Sequence, residues 1–141
     1  MLQQNNLVNI VIANYNSYTQ IIISGFKNDI ERAQQIFKHS LIPLNVSGAF
    51  HSPHMLFAQQ AFTTFLNNIK FAVPTMPVLA NLNAQFYHPK VTRWNLAQQI
   101  THAVQWVKSV EYLLSQGDIA LTEIGPGNVL TKLVARIQDA Q

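Results

Sequence analysis

The chain has 141 residues, 48% of them hydrophobic and 10% aromatic, with a formal net charge of +3 and no cysteine. That length fits one packed domain burying roughly two-thirds of its unfolded surface. No apolar run reaches the ~20 residues that span a bilayer, and without cysteine there are no disulfides or thiolate metal sites. The nine basic residues are scattered, and polarity comes instead from 14 Gln and 13 Asn, so nucleic acid is not an expected partner. The opening Met1-Leu2-Gln3-Gln4-Asn5-Asn6 is polar and lacks a basic head, so no secretory signal is read there. The expectation is a cytoplasmic protein without a membrane partner.

Val8 to Ala13 reads as a strand and Gln20 to Ser24 as a second, with Asn14-Tyr15-Asn16-Ser17 as the turn of a hairpin. Asn28-Asp29-Ile30-Glu31 has the capping-box spacing, Asn28 as N-cap and Glu31 three residues on. A helix then runs to about His39 on a stripe of Ile30, Ala33, Ile36 and Phe37. Ile42 to Val46 is a third strand, and Met55, Ala58, Phe62, Phe65 and Ile69 recur at helical spacing. Val78 to Leu82 is a short strand, Asn95 to His102 a helix, and Val104 to Gln116 another helix ended by Gly117. Trp94 and Trp106 read as core anchors. Ile119 to Ile124 reads as a buried strand, and Gly125-Pro126-Gly127 turns into a last helix, Asn128 to Gln138. The opening order, strand-strand-helix-strand, matches the last part of a ferredoxin-like unit. The alternation of strands and helices that follows makes the chain α/β.

The most informative segment is Ser47-Gly48-Ala49-Phe50-His51-Ser52-Pro53-His54-Met55. It places His51 between a strand-like and a helix-like run, flanked by the small residues Gly48, Ala49 and Ser52, where a scaffold can present a side chain to a cleft. Histidine is the usual general base for a hydroxyl or thiol nucleophile. The chain has neither a cysteine nor a Gly-x-Ser-x-Gly elbow, so the base stands without a nucleophile. The plain alternative is a structural histidine satisfied within the fold. His51 and His54 have H-x-x-H spacing, but no third ligand accompanies them, and no metal is expected. Gly125-Pro126-Gly127 opens a helix and could cradle a phosphate, but it lacks the spacing and the Lys of a P-loop.

Four segments in order carry a resemblance: Ala13-Asn14-Tyr15-Asn16; Gln20-Ile21-Ile22-Ile23-Ser24-Gly25; Gly48-Ala49-Phe50-His51-Ser52-Pro53; and Glu123-Ile124-Gly125-Pro126-Gly127-Asn128-Val129-Leu130. From about Val8 to Ile137 the chain resembles the C-terminal half of malonyl-CoA:acyl carrier protein transacylases and of polyketide synthase acyltransferase domains. The resemblance implies a partial ferredoxin-like small subdomain, residues 1–47. The C-terminal part of an α/β-hydrolase-like acyltransferase subdomain, residues 48–141, follows it. It implies ping-pong transfer of malonyl from coenzyme A to a serine and then to the pantetheine thiol of an acyl carrier protein, without a cofactor. His51 matches the family base. Gln99 matches the residue whose main-chain carbonyl accepts the histidine Nδ1–H, the orienting role of Asp in a hydrolase triad. Phe50 matches a position where an aromatic ring goes with malonyl rather than methylmalonyl, and Asn14 lies in a segment near the substrate channel.

The serine nucleophile, the carboxylate-binding Arg and the N-terminal oxyanion-hole Gln of the family lie upstream in full-length enzymes and have no counterpart here. The chain is therefore expected to be inactive alone, and to associate with a missing N-terminal half or with itself. Two other functions fit the same residues: a non-catalytic docking module that keeps a remnant of the fold, and half of a hydrolase that edits acyl thioesters.

Overall fold

The computed structural model describes residues 7–140; the polar start Met1–Asn6 lies outside them. Two antiparallel strands, β1 (Val11–Ser17) and β2 (Gln20–Ser24), form the one sheet among the described residues. The hairpin turn falls at Tyr18-Thr19 rather than at residues 14–17. β1 carries on through Asn14 to Asn16 because this stretch still pairs, Asn14 with Ile22 and Tyr15 with Ile21. Ser17 closes the turn by accepting the Thr19 amide at 3.3 Å, a hydroxyl-capped turn.

Helix α1 (Lys27–Phe37) starts one residue before the expected cap. Asn28 is thereby inside the first turn, the helix has no side-chain cap, and Glu31 faces Lys27 at 3.9 Å instead of reaching back. The Ala33 side of the expected stripe is real. Leu7, Ile10 and Ala33 form a buried cluster, with Ile23, Ile30, Phe37 and Leu41 packed against it. Ile36 is exposed, one position off that face.

Ile42 to Val46 forms no strand, and all three of its large apolar side chains, Ile42, Leu44 and Val46, face solvent. Ile119 to Ile124 likewise forms no strand, and Ile119, Leu121 and Ile124 are exposed. The reason is common to both: a strand is completed by pairing, and no described strand lies beside either segment. Val78 to Leu82 keeps only an isolated antiparallel bridge, Leu79 to Phe86.

The other regular elements are helical. A 3₁₀ turn, Pro53–Met55, leads into α2 (Leu56–Leu66), which stops short of the expected Ile69. Arg93 finishes it, donating Nε to the Leu66 carbonyl at 3.0 Å and Nη2 to that of Ile69 at 3.1 Å. Cationic donors suit the free carbonyls of a helix end. α3 (Pro89–Gln98) begins six residues before the sequence reading and ends four before it. His88 caps it by accepting the Lys90 amide, and Pro89 takes the first position, where a missing N–H costs nothing. Trp94 on α3 is exposed, so it is no core anchor. α4 (Trp106–Leu114) is also shorter than expected and buries Ser109 and Val110. α5 (Val129–Gln138) buries Leu133 and Ile137 and packs on β1 and α4. A fully buried residue such as Ile137 contributes roughly 1.5–3 kcal/mol.

The two parts of the chain are joined at β1. The Val104 amide donates to the Ala13 carbonyl at 2.8 Å, and the Tyr15 amide to the Val104 carbonyl at 3.0 Å. The α3–α4 connector thus lies alongside β1 as a parallel bridge at Asn14. No helix among the described residues is long and apolar enough to cross a membrane.

Candidate active site

Ser52 builds the loop that presents His51. Fully buried, it donates Oγ to the Ala49 carbonyl at 2.6 Å and accepts the His54 amide at 3.3 Å. This is the N-cap geometry of the 3₁₀ turn, with Pro53 at its first position. The sequence reading treats Ser52 only as small; the Ser-Pro pair before a helical run was the available signal. Phe50 is exposed, and a Cβ on Gly48 would touch its ring at 3.6 Å and Met55 Sδ at 3.8 Å. Both are ordinary van der Waals distances, so the loop has room for a Cβ at this glycine.

His51 is half-buried and held in the left-handed region, φ 57°. A non-glycine residue there costs of order 1–3 kcal/mol and persists only where its surroundings impose it. They do so through two successive carbonyls. The His51 amide donates to Ile100 O at 3.1 Å, and His51 Nδ1 lies 2.7 Å from Gln99 O. A carbonyl only accepts, so Nδ1 carries the proton and Nε2 of the neutral ring keeps its lone pair. Nε2 meets no hydrogen-bond partner among the described residues. Gln99 is the C-cap of α3, and carbonyls past a helix end have no ladder amide to accept. Whether the helix ends at Gln98, as it does, or at His102, as expected, the Gln99 carbonyl has no ladder partner; here the histidine takes it.

The turn after Gln99 is bonded to its surroundings. Gln98 O accepts the Thr101 and His102 amides, both at 3.1 Å, and His102 Nδ1 at 2.8 Å. Thr101 donates Oγ1 to Gln59 Oε1 on α2 at 2.5 Å. Sequence reasoning misses Thr101, Gln59 and Ile100 altogether. Asn14 faces the same connector from β1 through Val104, five residues past Gln99, while the hydrogen bonds of His51 go to Gln99 O and Ile100 O. His54 turns away from His51: its Nε2 lies 2.8 Å from Asn9 O and its ring packs on Phe26 at 4.1 Å. The H-x-x-H pair therefore addresses two different carbonyls. No cluster of three or more potential metal ligands occurs among the described residues.

At the Gly125-Pro126-Gly127 turn, both glycines have positive φ, 145° and 88°. The amides of Leu130 and Thr131 at the start of α5 are taken by the Glu123 carboxylate at 3.1 and 2.9 Å. An anion supplied by the chain itself occupies the place a phosphate would take.

No family model matches the chain. It is 42% identical over 142 residues to the polyketide biosynthesis malonyl CoA-acyl carrier protein transacylase PksC of Bacillus subtilis, covering 97% of this chain and 49% of that protein. It superposes on the crystal structure of a Burkholderia pseudomallei malonyl CoA-acyl carrier protein transacylase with a TM-score of 0.93 and 40% identity, over 99% of this chain and 51% of the other. The chain is related to the malonyl CoA-acyl carrier protein transacylases and matches their C-terminal half. It spans about half the length of the curated relatives it matches. A further transacylase structure, solved with a type II polyketide synthase acyl carrier protein, aligns at 34% identity and a TM-score of 0.86, over 92% of this chain and 44% of the other. The transacylase relationship covers the hairpin, the His51 loop, the Gln99 turn and the Gly125–Gly127 turn together, because nearly the whole chain is matched.

Proposed function

We propose that this chain is the histidine-bearing half of a malonyl transferase, which moves malonyl from malonyl-CoA to the phosphopantetheine thiol of an acyl carrier protein. The observation that carries the reading is His51 Nδ1 within 2.7 Å of Gln99 O, which leaves Nε2 to move protons. Nε2 takes the proton of a serine hydroxyl as its oxygen attacks the malonyl thioester. It returns that proton to the departing coenzyme A thiolate. It then takes the proton of the pantetheine thiol as the sulfur attacks the serine ester, and gives it back to the serine oxygen. An uncharged main-chain acceptor here orients the ring as a carboxylate does in a hydrolase triad. The serine belongs to the part of the relatives that this chain does not span.

The substrate is already activated as a thioester, so the reaction requires no cofactor. Phe50, adjoining the base, is assigned to acyl selectivity: its ring leaves no room for a methyl on the malonyl α-carbon, a discrimination of ~1–3 kcal/mol. Asn14 is assigned to the wall of the substrate channel. On this reading residues 1–47 are part of a ferredoxin-like subdomain, and 48–141 the C-terminal part of an α/β-hydrolase-like one, in a cytoplasmic enzyme. The related transacylase solved with a carrier protein supports that class of partner.

The test is a chimera in which this chain replaces the matching half of the Bacillus subtilis relative. It should transfer malonyl from malonyl-CoA to a holo acyl carrier protein. His51→Ala in the chimera should lower that rate by roughly 10²–10⁴, the usual worth of a general base. A folded His51→Ala chimera transferring within threefold of the parent would overturn the assignment.

A further inference from the structure

We propose that Thr101 and Gln59 are positioning residues for His51, their hydrogen bond locking the turn that offers the Gln99 and Ile100 carbonyls to the helix that carries the His51 loop. This rests on the reading of His51 as the proton carrier. Both carbonyls that hold the histidine lie beyond the end of α3, in a turn tied back to that helix by the Ile100 amide on Ala97 O and the Thr101 and His102 amides on Gln98 O. Those bonds fix the turn to α3; a further contact must fix it to α2, the helix that follows the His51 loop. Within the turn, Thr101 is 92% removed from solvent, and its hydroxyl reaches Gln59 Oε1 at 2.5 Å. A hydroxyl has one proton to give, and of the two oxygens in its reach, Gln59 Oε1 at 2.5 Å and Gln98 O at 3.3 Å, the glutamine side chain is the nearer. Its oxygen lies 3.0 Å from His102 Nδ1, whose ring in turn lies 2.8 Å from Gln98 O.

The chain closes a ring of contacts. From His51 the path runs through the Ser52-capped turn into α2 and to Gln59. It crosses to Thr101 through the hydroxyl and returns through Ile100 and Gln99 to the main chain and ring of His51. The Gln59–Thr101 bond is the only side-chain to side-chain link in that circuit. Without it, α3 stays tied to α2 by Arg93 at the far end of α2, and the carbonyl turn is held to the His51 loop by the two histidine bonds alone. The left-handed His51 backbone would then relax, and the imidazole would lose the acceptor that selects its Nδ1–H tautomer. A displacement of about 1 Å in a reacting group is worth up to 10²-fold in rate.

The test uses the chimera described above. Thr101→Val keeps the shape and removes the hydroxyl; Thr101→Ser keeps the hydroxyl. Thr101→Val should lower kcat about 10- to 100-fold with KM for malonyl-CoA within twofold, and Thr101→Ser should stay within threefold of the parent. Gln59→Leu should repeat the kcat loss, and the double variant should be no worse than either single one, because both remove the same bond. With ¹⁵N-labelled histidine, His51 should show one tautomer, Nδ1–H, in the parent and a mixture in Thr101→Val. Unchanged kcat and an unchanged His51 tautomer in Thr101→Val would overturn the proposal. So would equal losses in Thr101→Ser and Thr101→Val, which would assign the effect to packing. His51→Ala run alongside separates the two readings. If it loses activity while Thr101→Val does not, only the positioning role falls; if it keeps activity, the proton-carrier reading falls.

Discussion

A main-chain carbonyl holds the His51 ring, and that fact sets what a change at Gln99 can do. Truncating the side chain leaves the oxygen at 2.7 Å from Nδ1 in place, because the C-cap geometry is fixed by the bonds around Gln98 and Thr101. Gln99→Ala in the chimera should therefore lower kcat/KM only a few-fold, far less than the roughly 10²–10⁴ expected of His51→Ala. Steady-state transfer assays on the two variants check it; equal losses would mean that the Gln99 amide itself touches the reacting groups. The same fact explains how much of the site can be read from residues. His51 stands out because its chemistry is in its side chain and its neighbours are small. Gln99 has an ordinary helix-surface side chain, so only its place in an ordered set of motifs singles it out. Ile100 contributes nothing but a carbonyl, which any residue would supply. Thr101 and Gln59 meet across 42 positions of sequence, a proximity no local pattern encodes.

At the scale of elements, the entry to α5 shows a local device with a measurable signature. Glu123 accepts the Thr131 amide at 2.9 Å, the Thr131 hydroxyl at 2.8 Å and the Leu130 amide at 3.1 Å. The Thr131 amide and hydroxyl, helped by the Leu130 and Val129 amides, hold its carboxyl below the usual glutamate range against the desolvation that acts the other way. A carboxyl whose folded value is depressed adds stability that is fully present above its unfolded value. That stability disappears as pH falls through the folded value. Glu123→Gln should thus lower the melting temperature at pH 7 by on the order of a few degrees. The gap should close only as pH falls from the usual glutamate range through the depressed folded value, where both chains come to carry a neutral side chain. Melting curves across that range check it; a gap independent of pH would assign the effect to shape. Helices such as α1, α2 and α5 are readable from the chain because their periodicity is local. Their ends are less so: α1 begins at Lys27 without the box that Asn28 and Glu31 spell out, and α3 begins at a His88-Pro89 cap that apolar periodicity passes over. The strands at 42–46 and 119–124 fail for a different reason. Their sequences are strand-like, but a strand exists only through a partner, and the partner is not a property of the segment.

For the whole molecule those two segments define its surface. Ile42 is 84% exposed, Ile124 96% and Phe57 on α2 85%, with Leu44, Val46, Leu121 and Val129 exposed beside them in sequence. Each exposed apolar side chain forgoes part of the roughly 1.5–3 kcal/mol that burial would give. Extended segments with unpaired N–H and C=O groups also template pairing with another chain. Proteins that stay monomeric rarely expose contiguous apolar patches beyond a few hundred Å². The proposed transferase supplies a specific cover, since the relatives are about twice the length of this chain. The 141-residue chain alone should associate with itself, its weight-average mass in sedimentation velocity rising with concentration. The chimera, which brings the other half, should sediment as a smaller and concentration-independent species relative to its own length. If the cover is the other half, mixing that half with the chain as separate polypeptides should also suppress self-association and produce measurable malonyl transfer. A chain that stays monomeric at high concentration and unfolds in one sharp transition would sink the argument. Ile42–Val46 and Ile119–Ile124 would then have to find partners within the chain in solution, and ¹H–¹⁵N exchange protection of their amides would reveal that pairing directly.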